Sequence, residues 1–176
     1  LRDNYYGSLK DDVFRRDFTV NSLYFDIKKS EVIDYVNGLN DLKELKINMI
    51  GDPSERFEED PVRMIRAVRF KVKLRATIDS KLNNRILKNA YLISNVPPAR
   101  LYEEVIKLFH NENSLEIFRE LSNLGILKHL FSQTQEDSFI AASLIITSER
   151  IKKGISVTPA FLFAVFLWSA LNKRFQ

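Results

Sequence analysis

At 176 residues the chain is long enough for one ordinary domain or two small ones, and a 45% hydrophobic content excludes a disordered sequence. The absence of cysteine excludes disulfides and thiolate metal sites, and two distant histidines, His110 and His129, do not suggest zinc. The net charge of +4 is unevenly spread: Pro61 to His110 carries eleven basic residues against Asp79, Glu103 and Glu104, which fits either a polyanion-binding surface or a solvated helical face.

The chain opens on Leu1-Arg2-Asp3, with no apolar leader. Leu23, Phe25 and Ile27 alternate with Ser22, Tyr24 and Asp26, the period of a half-buried strand. Lys28-Lys29-Ser30 predicts a turn into a second strand over Glu31 to Val36, which Asn37-Gly38 ends. A short helix near Asn40 to Leu45 and a third strand over Ile47 to Ile50 follow, and Gly51-Asp52-Pro53 breaks the pattern. Beyond it no strand is expected.

Asp60 is placed to cap a helix with Pro61 at its first position and Val62, Ile65, Val68 and Leu74 on its apolar face. Further helices are predicted over Ser80–Ile93, Pro98–His110, Asn113–Leu124 (ended by Gly125), Asp137–Lys152 and Thr158–Lys173. The longest apolar run, Pro159 to Leu171, is shorter than the roughly 20 residues that span a bilayer. It reads as a buried helix capped by Thr158, and no membrane association is expected. The fold class is α+β, predominantly α, with a small antiparallel β remnant leading an all-helical array. Both ends are abrupt, as expected of a piece of a longer protein.

Three segments carry chemistry. They are Arg15-Arg16-Asp17-Phe18-Thr19-Val20-Asn21 at the entry to a strand, Asp34-Tyr35-Val36-Asn37-Gly38-Leu39-Asn40-Asp41-Leu42, and Glu59 through Phe70 at the start of the basic helix. Asp60 and Arg63, three apart at a helix N-terminus, project to one side. A carboxylate accepting from an exocyclic amine and a guanidinium donating to a ring nitrogen can together match a nucleobase edge. Each residue alone has a plainer reading: Asp60 as a simple cap, Asp17 beside Arg15 and Arg16 as a surface ion pair, Thr19 and Asn21 as polar strand positions.

In series, Arg-Arg-Asp-Phe-Thr-x-Asn, Asp-Tyr-x-x-Gly-x-x-Asp-Leu and Glu-Asp-Pro-x-Arg-x-x-Arg-Ala-x-Arg-Phe closely resemble the class II nucleotidyltransferases, the family of bacterial poly(A) polymerases and CCA-adding enzymes. The stretches Asn95–Glu104, Gly51-Asp52-Pro53 and Thr158–Ala164 look like the polymerase branch. The resemblance implies that Arg16, Asp17 and Asn21 contact the sugar and phosphates of an incoming ATP, with Asp17 and Asn21 on the ribose hydroxyls. It implies that Glu59, Asp60 and Arg63 form the template for the base, with Arg66 and Arg69 near the triphosphate or bracing the template. Asp34, Gly38 and Asp41 match a hinge between head and neck. Arg100, Lys71 and Lys73 are weaker candidates for RNA phosphate.

It further implies a head remnant over residues 1–52, a helical neck over 53–112 and the start of a helical body over 113–176. The expected activity is addition of AMP from ATP to RNA 3′ ends in the cytoplasm, with CCA addition to tRNA and a non-catalytic RNA-binding module as alternatives. The family's magnesium ions sit on an Asp-x-Asp pair after a Gly-Gly turn, and neither motif occurs here. Asp11-Asp12 would face opposite sides of a strand. No metal ligand or catalytic residue is therefore assigned within the chain, which is expected to be inactive by itself.

Overall fold

The computed structural model describes residues 7–174. Helix α1 (Leu9–Arg15) starts on a reciprocal cap: the Asp11 amide donates to Ser8 Oγ (3.3 Å) while the Ser8 amide donates to the Asp11 carboxylate (2.8 Å). The Arg16–Asn21 segment was expected to lead into a strand. It instead makes one bridge, Phe18 to Met49, and then a 3-10 turn over Thr19–Asn21. Local polar groups win over the strand: the Phe18 amide donates to Asn21 Oδ1 (3.3 Å) and Ser22 Oγ donates to the Phe18 carbonyl (2.8 Å).

Strands β1 (Tyr24–Asp26) and β2 (Glu31–Ile33) form an antiparallel hairpin, shorter than the sequence suggests. Its expected buried face is open: Phe25 is 60% and Ile27 84% exposed. Alternation identifies the strand but not which face is covered. Helix α2 (Gly38–Lys43) follows, its entry held by Asp34, whose carboxylate accepts from the amides of Val36 (3.0 Å), Gly38 (3.0 Å) and Leu39 (2.9 Å).

Strand β3 (Lys46–Ile47) is shorter than predicted and pairs in parallel with β4 (Thr77–Ile78), a strand the sequence did not suggest. Among the described residues the β structure is therefore two separate two-stranded pairs, one of them parallel. A second unanticipated element is helix α3 (Pro53–Glu59). The Asp52 carboxylate accepts from the Ser54 and Glu55 amides and Pro53 takes the first position, so Gly51-Asp52-Pro53 starts a helix as well as breaking a strand.

Helix α4 (Val62–Leu74) is the axis of the molecule. The Asp60 carboxylate accepts from the Val62 amide (3.2 Å), but Asp60 closes α3 and Pro61 takes the cap position that the sequence assigned to Asp60. Met64, Ile65, Ala67, Val68 and Val72 are buried, and Arg75 closes the helix with a left-handed backbone (φ 52°). The helices α5 (Ser80–Asn89), α6 (Pro98–Phe109), α7 (Ser114–Asn123), α8 (Leu127–Leu130), α9 (Ser138–Lys152) and α10 (Pro159–Arg174) complete the array. The predicted Ser80–Ile93 helix stops at Asn89 and continues as a 3-10 segment over Ala90–Asn95.

A single apolar core runs from Phe18 through Phe57, Ile65, Ile86 and Leu108 to Phe166, whose ring meets Phe109 (4.7 Å) and Phe131 (4.5 Å). Helix α10 is not buried all round as expected. Leu162, Val165 and Phe166 are buried, whereas Phe161, Leu167, Trp168 and Leu171 face outward. Among the described residues no helix is long and apolar enough to cross a membrane.

Two outcomes test this arrangement. A Cβ built on Gly38 would lie 2.2 Å from the Thr19 carbonyl oxygen, so α2 can approach the 3-10 turn only without a side chain. Gly38→Ala is expected to lower unfolding free energy by about 1–3 kcal/mol, read by urea denaturation. Burial opposes ionisation of Asp34, but the Leu39, Val36 and Gly38 amides outweigh it and hold its carboxyl below the usual range. A depressed carboxyl stabilises the fold above its unfolded pKa, and that contribution fades as pH falls through the folded value. The stability gap between wild type and Asp34→Asn is therefore expected to be full at pH 7 and to close below the ordinary aspartate range.

Candidate functional site

Asp17 lies at the bottom of the site, 6% exposed. It does not pair with Arg15 or Arg16, so the surface ion-pair reading fails. Its Oδ1 accepts from Arg63 Nε (3.2 Å), 46 residues on. Its Oδ2 lies 2.8 Å from Arg66 Nη2, an ion contact outside hydrogen-bond geometry. Arg63 and Arg66, three apart on α4, present to one side because the opposite side of the helix is in the core. A buried carboxylate needs such partners, since desolvation otherwise drives it to the neutral form.

Arg63 is further engaged by Glu59, whose Oε2 accepts from Arg63 Nη1 (2.7 Å) and from Arg56 Nη1 (2.9 Å). The Arg63 guanidinium, with Arg56 behind it, holds the Glu59 carboxyl below its ordinary range. Arg56, which sequence reasoning passed over, donates through Nη2 to the carbonyls of Arg15 (2.8 Å) and Arg16 (2.6 Å). Arg16 itself turns the other way. It pairs with Asp12 (3.0 Å), donates to the Asn21 carbonyl (2.9 Å) and the Tyr24 hydroxyl (2.7 Å), and lies 4.8 Å over the Tyr24 ring. The Asp12 contact raises its pKa further above the guanidinium's usual value.

The side chains of Asp60 and Arg63 do not bond to each other, although the Arg63 amide donates to the Asp60 carbonyl (3.1 Å). Asp60 Oδ2 accepts from Arg100 Nη2 (2.6 Å), which ties the start of α4 to the first turn of α6. The segment bearing Asp17 and Asn21 is held from below by a buried polar group: Thr19 Oγ1 donates to Asp41 Oδ2 (2.6 Å), and Asn48 Nδ2 donates to Asp41 Oδ1 (2.9 Å). This gives Asp41, in the middle motif, a definite part in holding the first motif against α4.

The weaker candidates separate. Lys71 turns to α7 and pairs with Glu120. Lys73 lines a groove of about 670 Å3 with Arg69, Phe70, Lys107 and His110. Glu104, to which the sequence reading gave no role, meets both Arg69 (3.8 Å) and Lys107 (3.0 Å). Asp11 and Asp12 do not offer a divalent-metal site. They lie on α1, engaged by Ser8 and by Arg16 with Tyr24. Among the described residues no three His, Asp or Glu side chains converge on one point.

Residues 2–48 match the family model "Poly A polymerase head domain", and residues 77–137 match "Probable RNA and SrmB- binding site of polymerase A". Poly(A) polymerase I of Haemophilus influenzae is 40% identical across the whole chain, which covers 41% of that protein. The CCA-adding enzyme of Bacillus licheniformis is 30% identical over 96% of the chain, covering 42% of its own length. The chain thus spans about two fifths of the relatives it matches. Among solved structures, the Thermotoga maritima CCA-adding enzyme complexed with tRNA superposes with a TM-score of 0.74 at 25% identity, over 90% of this chain and 41% of that one. The chain belongs to the nucleotidyltransferase family that unites bacterial poly(A) polymerases with CCA-adding enzymes.

Proposed function

We propose that the intact protein adds AMP from ATP to RNA 3′ ends in the cytoplasm, and that this chain carries its nucleotide-selecting half. The observation that carries the reading is the Asp17–Arg63 contact, which joins two motifs 46 residues apart into one site. On this reading Asp17 and Asn21 meet the ribose hydroxyls. Asp60 and Arg63 read the base, with Glu59 holding Arg63. Arg66 and Arg69 face the phosphates, where a guanidinium pairs with oxygen in two places at once.

The contacts leave room for a ligand. Arg63 uses Nε and Nη1, which leaves Nη2 for a ring nitrogen. Each Asp60 oxygen has one partner and can accept a second. Lys73 is a further cation available to nucleotide or RNA phosphate, and Arg16 and Arg100 would reach phosphate by exchanging their Asp12 and Asp60 partners for it. The RNA would run along the neck and body, residues 53–112 and 113–176, away from a head that includes residues 1–52. Magnesium would be held by carboxylates other than those in this chain.

An extension assay on the intact protein tests the activity. Long tracts from ATP alone are expected, and strict addition from CTP and ATP would establish the CCA-adding alternative instead. Asp60→Asn keeps the acceptor that caps Val62 but changes the group offered to the base. Its ATP-over-CTP preference is expected to fall about tenfold, within the range for losing one good base contact, with little change in Tm. An unchanged preference with a lower Tm would make Asp60 a helix cap only.

A further inference from the structure

The contacts around Arg56 close into a ring. From Asp17 the path runs to Arg63 Nε (3.2 Å), from Arg63 Nη1 to Glu59 Oε2 (2.7 Å), and from Glu59 Oε2 to Arg56 Nη1 (2.9 Å). Arg56 Nη2 then reaches the carbonyls of Arg15 (2.8 Å) and Arg16 (2.6 Å), the second of which belongs to the peptide that joins Arg16 to Asp17. A second strut, Arg63 Nη1 to the Arg56 carbonyl (2.8 Å), crosses it.

Two links tie the 15–17 segment to the α3–α4 corner within this ring, and they differ in one respect. The Asp17–Arg63 link is made of groups that a nucleotide would compete for. The Arg56 link is made of backbone carbonyls and a side chain only 15% exposed, with Nη1 and Nη2 both engaged within the protein. When a base takes up Arg63 Nη2 and a sugar hydroxyl engages Asp17, the Asp17–Arg63 contact is shared with the ligand, whereas the Arg56 link is left as it stands. Few side chains could replace it: serving two carbonyls and a carboxylate together takes a planar fork with several donors, and an ammonium on a flexible stem cannot hold that geometry.

We propose that Arg56 is a positioning residue that fixes the spacing between the sugar-reading segment and the base-reading helix, so that selection of ribose and of base are coupled. This rests on the reading of Asp17 and Asn21 as sugar contacts and of Asp60 and Arg63 as base contacts. Arg56 touches neither part of the nucleotide and acts through the Arg15–Arg16 backbone and Glu59.

The test compares kcat/KM for ATP, CTP and dATP in the intact wild type and in Arg56→Lys. Both ratios, ATP to CTP and ATP to dATP, are expected to fall together, each by about tenfold, with KM for ATP rising more than kcat falls. A fall in Tm with both ratios kept makes Arg56 a fold residue and overturns the proposal, as does loss of one ratio alone. A wild type with neither preference sinks the nucleotide reading itself, and the clamp with it. Should Arg56→Lys not fold, amide hydrogen exchange on the wild type decides. ATP is expected to protect residues 16–21 and 57–63 over the same concentration range, and protection confined to one segment overturns the coupling.

Discussion

The arrangement depends on a carboxylate buried where it must be paired. Asp17 sits between Arg63 and Arg66, and neither arginine can leave without exposing an uncompensated charge to a low-dielectric setting. The arginines in turn cannot move freely, because Ile65 and Val68 on the other side of α4 are in the core. The core thus sets where the arginines stand, the arginines set where Asp17 stands, and Asp17 brings the first motif to the third. Thr19, Asp41 and Asn48 secure the same segment from the opposite side, so it is gripped between α4 and α2.

The basic segment acquires a different meaning once its partners are known. Counted along the sequence it looks strongly positive. In space, Arg63, Arg66, Arg69, Lys71, Arg100 and Lys107 all meet carboxylates, and Asp17, Glu59, Asp60 and Glu120 lie outside the stretch that was counted. Lys73, Arg75, Lys81, Arg85 and Lys88 make no ion pair among the described residues. The free positive field therefore belongs to the far end of α4 and to α5, where Lys81, Arg85 and Lys88 recur at helical spacing. The paired cations serve the site's geometry, and the unpaired ones are free to attract a polyanion from a distance.

What was legible in the sequence depended on how local its cause is. Capping signals are local, and Asp60, Asp137 and Thr158 each accept an amide of the helix that follows them. Asp52 carried the same signal, but Gly51 and Pro53 beside it read as a break, so α3 went unseen. Strand β3 was foreseen but longer, whereas β4, with two residues, is too short for any period to register. Phe25 and Ile27 alternated properly and still faced outward, because alternation says nothing about what lies across from a face. The motif residues were readable as a series, but the Asp17–Arg63 contact spans 46 positions and has no local signature. Arg56 carried no signal beyond standing three residues before Glu59.

The two-sided character of α4 bears on how such a protein can change. Its outward arginines and inward aliphatics share one rigid rod, so a rotation that re-aimed Arg63 would drag Met64 and Val68 out of register with the elements packed on α4, among them α7 and the β3–β4 pair. New nucleotide preferences are thus blocked along the helix that looks most responsible for them. The route left open is through groups that meet α4 from outside and are free of the core: Glu59 at the end of α3, and Arg100 at the start of α6. Closely related members of such a family could then share α4 almost unaltered and diverge at its borders.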